Sequence, residues 1–363
     1  MADVDFSLLH LPREAPPPDP DAYLRAAMAW HFGADTGSPY WLRTARRLDF
    51  DPLTDVRTFA DLRRFPNLVN ELRAVPAHDL IPRGYGTPAP VPLIFESGGT
   101  TGAPKRTAQL PDWVAQVVDW QTDDFSSAGF VPGGDFLCLM PSGPHGVGHF
   151  SRAVSARLGS ICHTVDLDPR WVKKLVARAA ATEMSAYLQH LLEQAEYILR
   201  SQRVVNLHTT PPLLDAIARD DTLTQLVGDT VRFIMLSGAH VDPDTLDVLR
   251  DVFPDAVIAM VFGSTMILSQ AQTRSSGEQL VFDPRSPYVV FWVVDPHTGK
   301  QVGYGERGQV VMNHISKGMF IPNNLERDTA VRLPGPDEHI GDSVAEVAPV
   351  ATLDGEAVIE GVY

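Results

Sequence analysis

Apolar segments of strand length alternate with segments of helical periodicity through the middle of this sequence. The strand-like segments are DFLCLM (135–140), ICHTVDL (161–167), VVNLHTT (204–210), VRFIMLSG (231–238) and AVIAMVFGST (256–265). The helical segments lie between them, at 151–159, 170–200, 211–220 and 243–253. Strands that alternate with helices of ten or more residues predict a parallel sheet with helices on both faces.

The two flanks of this region have different patterns. The first 90 residues contain short helical segments interrupted by prolines, such as DAYLRAAMAWHF (21–32) and FPNLVNELRAVP (65–76). From about residue 280, short apolar segments separated by turns predict a small antiparallel unit, as in YVVFWVVD (288–295). The predicted fold class is therefore α/β with a β-rich C-terminal part. We expect one domain over 1–363, with approximate subdomains 1–200, 201–280 and 281–363.

Composition excludes several classes of protein. The chain has 363 residues, of which 44% are hydrophobic, and contains no run of 18 apolar residues, which argues against a membrane partner. The net charge is −15 and no large Lys/Arg cluster occurs, which argues against a nucleic-acid partner. The N-terminus lacks the pattern of a secretion signal. Cys138 and Cys162 lie in apolar segments, which is typical of reduced thiols in a cytoplasmic protein.

The segment ESGGTTGAPK (96–105) is the strongest candidate for a ligand-binding loop. It follows the apolar segment VPLIF (91–95) and precedes the helical segment PDWVAQVVDWQTDDF (111–125). Glycines let the backbone approach a ligand closely, and backbone amides with a following helix favour a phosphate. The spacing differs from the common P-loop, in which four residues separate the glycines and lysine follows the second one. A glycine-rich surface turn fits the composition equally well.

The GGTTGAPK motif resembles the core signature of the adenylate-forming (ANL) superfamily, which includes acyl-CoA synthetases and luciferases. Four further segments resemble the motifs of this superfamily in the expected order: MLSGAHV (235–241), VFGSTM (261–266), GYGERGQVV (303–311) and PNNLERD (322–328). The resemblance covers residues 60 to 345, about four fifths of the chain. It is similar in detail to the phenylacetate-CoA ligase branch and to short adenylating proteins of phenazine antibiotic biosynthesis. It implies an α/β adenylation N-terminal domain without the mobile C-terminal domain.

This resemblance implies a set of site residues. The implied catalytic residues are Lys105 and Thr265. Those implied to bind ATP are Ser97, Gly98, Gly99, Thr100, Thr101, Gly102, Gly238, Ala239, Phe262, Gly263, Ser264 and Asp328, with Asp342 as the second candidate for the ribose-binding aspartate. Those implied to contact the substrate, a small-molecule carboxylic acid, are His145, Gly146 and Ser237.

The chain departs from the superfamily at the residue that binds Mg²⁺. Met266 stands where the family has a glutamate, and a thioether is a poor ligand for this cation. We expect Glu96, at the start of the glycine loop, to serve instead. The resemblance also implies that a lysine assisting adenylation and a surface for coenzyme A or a carrier, both in the C-terminal domain, are not part of this chain.

Three functions are compatible with these features. The first is ATP-dependent activation of an aromatic carboxylic acid in secondary-metabolite biosynthesis, with transfer of the acyl group to a separate acceptor enzyme or carrier. The second is an acyl-protein synthetase, which would need a cysteine later in the chain than Cys162. The third is a binding protein of this fold with weakened catalysis, and a homodimer is compatible with each.

Three other motifs have simpler interpretations. GYGERG (303–308) matches a dinucleotide-binding pattern, but a predicted strand follows it where that pattern needs a helix. His145 and His149 have a spacing that could bind zinc, but no third ligand is evident. Ser142 and Ser264 lack the context of a nucleophilic serine.

Overall fold

A computed structural model describes residues 4–10, 18–97, 103–276, 279–350, 352–353 and 356–357. The chain divides into two compact units. Unit 1 consists of Met1–Ser97, Ala103–Val117 and Gly263–Asp354, and unit 2 of Gly98–Gly102, Val118–Phe262 and Gly355–Tyr363. The subdomain boundaries predicted at residues 200 and 280 fall inside structural elements, because residue 200 lies in a helix and residue 280 in a strand.

The described residues form ten α-helices. They are α1 (Pro20–Phe32), α2 (Pro39–Ala45), α3 (Pro52–Asp55), α4 (Pro111–Ala128), α5 (Gly146–Arg157), α6 (Pro169–Ala177), α7 (Ala181–Ser201), α8 (Pro211–Ala218), α9 (Asp221–Thr230) and α10 (Pro243–Val252). Short 3₁₀ helices cover Phe6–Leu9, Phe59–Arg64, Val69–Arg73, Ala77–Leu80 and Arg83–Tyr85.

The same residues form 17 strands. They are β1 (Leu93–Glu96), β2 (Arg106–Gln109), β3 (Asp135–Cys138), β4 (Cys162–Thr164), β5 (Val204–Thr209), β6 (Phe233–Leu236), β7 (Val257–Met260), β8 (Gly263–Ser264), β9 (Ser269–Gln270), β10 (Gln272–Ser276), β11 (Gln279–Asp283), β12 (Val289–Val294), β13 (Arg307–Ile315), β14 (Phe320–Pro334), β15 (Asp342–Pro349), β16 (Thr352–Leu353) and β17 (Glu356–Ala357).

Asp-Pro pairs start four of the helices. In α1, α3, α6 and α10, proline occupies the first helical position, where its missing N–H costs no hydrogen bond. The preceding aspartate in each case accepts a hydrogen bond from a backbone N–H of the first turn. These caps are Asp19, Asp51, Asp168 and Asp242.

Unit 2 contains the predicted parallel sheet. Its strand order is β4-β3-β5-β6-β7, and every neighbouring pair is parallel. All four residues of β6 are buried, as expected for a central strand covered on both faces. The helix predicted over 170–200 is interrupted, because Ala179 between α6 and α7 adopts a positive φ of 50°. Helix α9 was not predicted from the sequence.

Unit 1 contains the antiparallel sheet predicted for the C-terminal part. Its strand order is β10-β11-β15-β14-β13-β12. Helices α1 and α2 bury aromatic side chains against this sheet: Trp41 donates from Nε1 to the carbonyl of Phe320 at 3.1 Å, and their rings lie 5.1 Å apart. Each aromatic side chain buried in this way contributes about 2 kcal/mol through the hydrophobic effect.

The glycine loop lies in a different setting from the predicted one. Strand β1 pairs with β2 in an antiparallel hairpin, with Leu93 opposite Gln109 and Glu96 opposite Arg106. The segment after the loop is therefore a strand, and α4 begins only at Pro111. The sequence predicted that the N-terminus of this helix would favour phosphate binding by the loop. That prediction is corrected, because α4 starts six residues after Lys105 and the effect of a helix N-terminus is limited to its first turn. The ends of the loop belong to a hairpin instead.

Three buried histidines are held in the neutral form. Burial lowers the pKa of His31 and of His208 to about 4, and it lowers the pKa of His314 to about 3. The Nε2 atom of His31 lies 2.7 Å from the Ser316 carbonyl, which can only accept, so Nε2 carries the proton. In the unfolded chain these imidazoles return to their ordinary pKa near 6.5.

We therefore expect stability to fall as the solution is acidified. Between about pH 6.5 and about pH 4, the unfolded chain binds more protons than the folded one, so each buried histidine lowers the free energy of unfolding by about 1.4 kcal/mol per pH unit. Urea unfolding followed by circular dichroism at several pH values measures this slope. The substitution His31→Gln reduces the slope, because it removes one of the three buried imidazoles. An unaltered slope in His31→Gln would contradict this account.

Candidate active site

The two ends of the glycine loop are joined by hydrogen bonds in unit 1. The backbone N–H of Ser97 donates to the Lys105 carbonyl at 3.0 Å, and the Lys105 N–H donates to Ser97 Oγ at 3.1 Å. This pair closes the loop at the end of the β1–β2 hairpin and fixes the backbone from which the half-buried Lys105 projects. The five predicted nucleotide-binding residues Gly98, Gly99, Thr100, Thr101 and Gly102 lie outside the described residues.

Glu96, predicted as a metal ligand, is already paired with a cation. Its Oε1 atom lies 3.0 Å from Nε of Arg106, the residue opposite it in the hairpin. The guanidinium neutralises this carboxylate and would repel a divalent cation placed beside it. The structure therefore gives Glu96 a place in the hairpin and does not favour a metal at this position.

The second part of the VFGSTM segment begins a tight turn, residues 263–270, that is anchored on the core of unit 1 and is called the VFGSTM turn below. Strand β8 pairs with β9, and a Cβ atom on Gly263 would lie 2.4 Å from the Ser269 carbonyl oxygen, so only glycine fits there. The Leu268 carbonyl accepts from Nε1 of Trp113 at 3.2 Å, and the Ile267 carbonyl accepts from Nδ1 of His314 at 2.6 Å. These bonds fix the position of the turn that carries Thr265.

Met266 points into the hydrophobic core. Its side chain is 4% exposed and packs in a cluster with Val69, Leu72, Met319 and Ile321. At this position the backbone thus directs the side chain towards apolar neighbours. A carboxylate with the side-chain orientation of Met266 would be buried among these apolar side chains without a partner.

A β-bulge on β14 presents two acidic residues. In the pairing of β13 with β14, Val311 lies opposite Leu325 and Gln309 opposite Thr329, so three residues of β14 face one residue of β13. The bulge consists of residues 326–328, which include Glu326 and the predicted ribose ligand Asp328, both half-buried. Bulges of this kind redirect side chains and are common beside active sites.

Glu326 contacts the VFGSTM turn. Its Oε1 atom accepts hydrogen bonds from Ser264 Oγ at 2.9 Å and from Asn324 Nδ2 at 2.7 Å. Glu326 was not among the site residues predicted from the sequence, although it lies in the PNNLERD segment. The contact joins residues 62 positions apart, which no local pattern reveals.

Asp342, the second candidate for the ribose, has a structural role in unit 1. It is 1% exposed, and its Oδ1 accepts from Arg332 Nε at 2.8 Å. Its Oδ2 accepts from the backbone N–H of Val293 and from Gln301 Nε2, both at 3.1 Å. Because both oxygens are occupied inside the sheet, Asp328 is the better candidate for a ribose.

In unit 2, the residues predicted to bind adenine and acid lie at the carboxyl ends of the parallel strands. Ser237 follows β6, and its Oγ lies 2.7 Å from Nε2 of His208, near the end of β5. Gly238 has a φ of +81°, which favours glycine at this turn, and Ala239 beside it is half-buried. Ligands of open α/β sheets bind at this edge. His208 is a further candidate that was not predicted from the sequence, where its signal is a polar residue near the end of an apolar strand.

His145 and Gly146 start helix α5 in unit 2. His145 is the N-cap residue and is 6% exposed, and Gly146 is the first helical residue. His149, one turn later, has its pKa lowered by burial. Among the residues that the structure describes, no three His, Cys, Asp or Glu side chains gather in a way that could hold a metal ion.

The remaining motif residues are turn residues. Phe262 ends the Val118–Phe262 segment of unit 2 and is half-buried. Ser142 donates to the Val165 carbonyl at 3.0 Å. Gly305 in GYGERG has a φ of +81° and precedes strand β13, so the helix required for dinucleotide binding does not follow. In the described parts of the chain, no helix combines the length and apolar character needed to span a membrane.

Solved structures share this arrangement of sheets and helices. A 2-hydroxyisobutyryl-CoA ligase in complex with 2-HIB-AMP and CoA matches with a TM-score of 0.61 and 15% identity, covering 96% of this chain and 83% of the ligase chain. Its structure in the thioesterification state gives a TM-score of 0.63 and 14% identity, covering 95% and 71% of the two chains. The fold of this chain is similar to that of 2-hydroxyisobutyryl-CoA ligase. The predicted fold class, α/β with a parallel sheet flanked by helices and a β-rich part, is thereby confirmed.

A sequence match supports the same relationship. The chain is 24% identical over 215 residues to 4-coumarate–CoA ligase 3 of Arabidopsis thaliana, which covers 58% of this chain and 34% of the plant enzyme. The match therefore spans about a third of the length of this relative. No protein-family model matches the chain. Together, the matches support the resemblance to the adenylate-forming superfamily; neither name refers to phenylacetate or phenazine, so that finer assignment stays a prediction.

The core position of Met266 predicts a large loss of stability for one substitution and a small loss for another. Met266→Glu buries an unpaired carboxylate among apolar side chains, and we expect it to lower the free energy of unfolding by about 3 kcal/mol or more. Met266→Leu keeps the volume and polarity, and we expect a cost below about 1.5 kcal/mol. Urea unfolding measures both. Equal stability of the two variants would show that residue 266 does not point into the core.

Proposed function

We propose that this chain activates a carboxylic acid with ATP, forming an acyl adenylate and pyrophosphate. The observation that carries the proposal is the closure of the GGTTGAPK loop by the Ser97–Lys105 pair. The same unit carries the anchored Thr265 turn and the bulge with Asp328. Support also comes from the fold, which is shared with a ligase solved with 2-HIB-AMP and CoA.

The reaction brings two anions together. The carboxylate of the acid attacks the α-phosphorus of ATP, a new C–O–P linkage forms, and the bond to the pyrophosphate leaving group breaks. Catalysis therefore consists mainly of alignment and of stabilising negative charge. The chain has a formal net charge of −15, so the positive charge that binds phosphate must be supplied locally. Lys105 and the amides of the loop would serve this purpose.

The nucleotide would be held by residues with separate tasks. Lys105 and Thr265 would contact phosphate oxygens, and the carboxylate of Asp328 would accept hydrogen bonds from the ribose hydroxyls. Gly238, Ala239 and Phe262, all in unit 2, are the residues that the resemblance implies for adenine. Mg²⁺, when bound, would neutralise phosphate charge, and it is commonly held by one or two carboxylates together with phosphate oxygens.

The acid would be recognised by residues at the carboxyl edge of the sheet in unit 2. His145, Gly146 and Ser237 are the candidates from sequence, and His208 holds Ser237 at 2.7 Å. Burial keeps His208 neutral, with its pKa lowered to about 4, so this pair orients a polar group without adding charge. We propose an aromatic acid, a role in secondary metabolism and transfer of the acyl group to a separate acceptor.

The cysteines do not favour acyl transfer through a thioester on this chain. Burial raises the pKa of Cys138 to about 12, and it also raises the pKa of Cys162. Since the thiolate is the nucleophile, both side chains are poorly reactive near neutral pH. The acyl-protein synthetase alternative is thus less favoured than adenylate formation.

The role of Lys105 can be tested by pyrophosphate exchange into ATP. With a panel of aryl and aliphatic acids, we expect acid-dependent exchange in the wild type and a loss of about 100-fold or more in Lys105→Ala. The matched control is Lys300→Ala, in an exposed turn of the same unit, which we expect to retain full exchange.

Two outcomes would contradict the proposal. One is ATP binding by the wild type without exchange for any acid of the panel, which would indicate a binding protein. The other is full exchange by Lys105→Ala, which would show that the loop lysine does not contact the reacting phosphates.

A further inference from the structure

We propose that Glu326 is the carboxylate with which this chain binds the Mg²⁺ of magnesium-ATP. This inference rests on the proposed function and deepens it, because the position where the superfamily has its metal-binding glutamate is occupied here by Met266. Met266 packs in the core with 4% exposure. A ligand for the cation must therefore come from another part of unit 1.

The carboxylate of Glu326 lies beside the turn that contains Met266. Ser264, whose hydroxyl donates to Glu326 Oε1 at 2.9 Å, immediately precedes Thr265 and also accepts from the Met266 N–H at 3.2 Å. The side chain of Ser264 therefore joins the Glu326 carboxylate to the backbone of Met266, which stands where the superfamily has its metal-binding glutamate. The carboxylate thus lies beside the VFGSTM turn although its residue belongs to β14.

The geometry leaves one carboxylate oxygen available. Both hydrogen bonds, from Ser264 and from Asn324, go to Oε1. The Glu326 backbone is also fixed, because its carbonyl accepts from Gln309 Nε2 at 2.6 Å within the bulge. A carboxylate held by one oxygen on a rigid backbone presents the other oxygen as a pre-oriented ligand, and oxygen is the donor that Mg²⁺ prefers.

Glu326 differs in its ion pairing from Glu96 and Asp342, two other candidate carboxylates of unit 1. Glu96 is paired with Arg106 at 3.0 Å, and Asp342 is paired with Arg332 at 2.8 Å. Glu326 makes no ion pair with any residue that the structure describes. A half-buried anion beside a turn that contacts phosphate would repel the triphosphate unless a cation lay between them. This arrangement suits a divalent cation that arrives with ATP.

The test separates nucleotide binding from metal dependence. Isothermal titration calorimetry of the full chain with ATP is carried out in excess Mg²⁺ and in EDTA, and Mn²⁺ replaces Mg²⁺ for electron paramagnetic resonance of the protein–ATP complex. In Glu326→Gln, which keeps the shape and the acceptor oxygen, we expect ATP affinity in EDTA to be no weaker than in the wild type. In Mg²⁺ we expect affinity to fall about tenfold, and the Mn²⁺ spectrum of the complex to change.

Two further variants serve as controls. Glu346→Gln removes an exposed carboxylate of the same unit, paired with Arg307 at 2.9 Å, and should leave both affinities unchanged. Glu326→Asp keeps the charge and should retain part of the Mg²⁺ dependence; it also serves if Glu326→Gln folds poorly.

The outcomes distinguish this inference from the function on which it rests. An unchanged Mg²⁺ dependence in Glu326→Gln, or a loss of it in Glu96→Gln alone, overturns the role of Glu326 while leaving ATP binding intact. Equal ATP affinity of the wild type in Mg²⁺ and in EDTA overturns it as well. Absence of ATP binding by the wild type in both conditions overturns the proposed function together with the inference.

Discussion

Two hydrogen bonds between Ser97 and Lys105 hold together the element on which the proposed chemistry depends. They join the ends of a loop whose glycines contribute no packing energy, and they do so at the end of a two-strand hairpin. The side chain of Ser97 takes part in one of them, so the motif residue before the glycines has a structural task. Because the backbone of Lys105 is already fixed, this lysine can neutralise phosphate charge without the entropy cost of ordering its backbone each time a ligand binds.

The second fixed element is the VFGSTM turn. Trp113 and His314 donate to successive carbonyls of this turn, and burial keeps His314 neutral by lowering its pKa to about 3. The Nε2 atom of His314 accepts from Ser316 Oγ at 2.7 Å, and the Ser316 carbonyl accepts from His31. A chain of uncharged hydrogen bonds thus connects the core of unit 1 to the turn that carries Thr265.

Local sequence patterns predicted the strands whose burial shows directly as a short apolar run in the sequence. The parallel strands of unit 2 are short apolar runs because both faces are covered, and β6 is buried at all four positions. The hairpin partner β2 was missed, since RTAQ has no strand pattern and pairs only through the fold. The contacts made by Met266 and Glu326 could not be predicted from local sequence patterns either. Each depends on side-chain contacts across long sequence separations, such as the Ser264–Glu326 bond.

The central claim is that unit 1 binds the phosphates and the ribose of ATP through Lys105 and Asp328. A crystal structure of the chain with ATP and Mg²⁺ tests it most directly. The account predicts the triphosphate within hydrogen-bond distance of the Lys105 ammonium, and the ribose hydroxyls on the Asp328 carboxylate. A nucleotide bound elsewhere, or ordered density for ATP that contacts neither side chain, would contradict it.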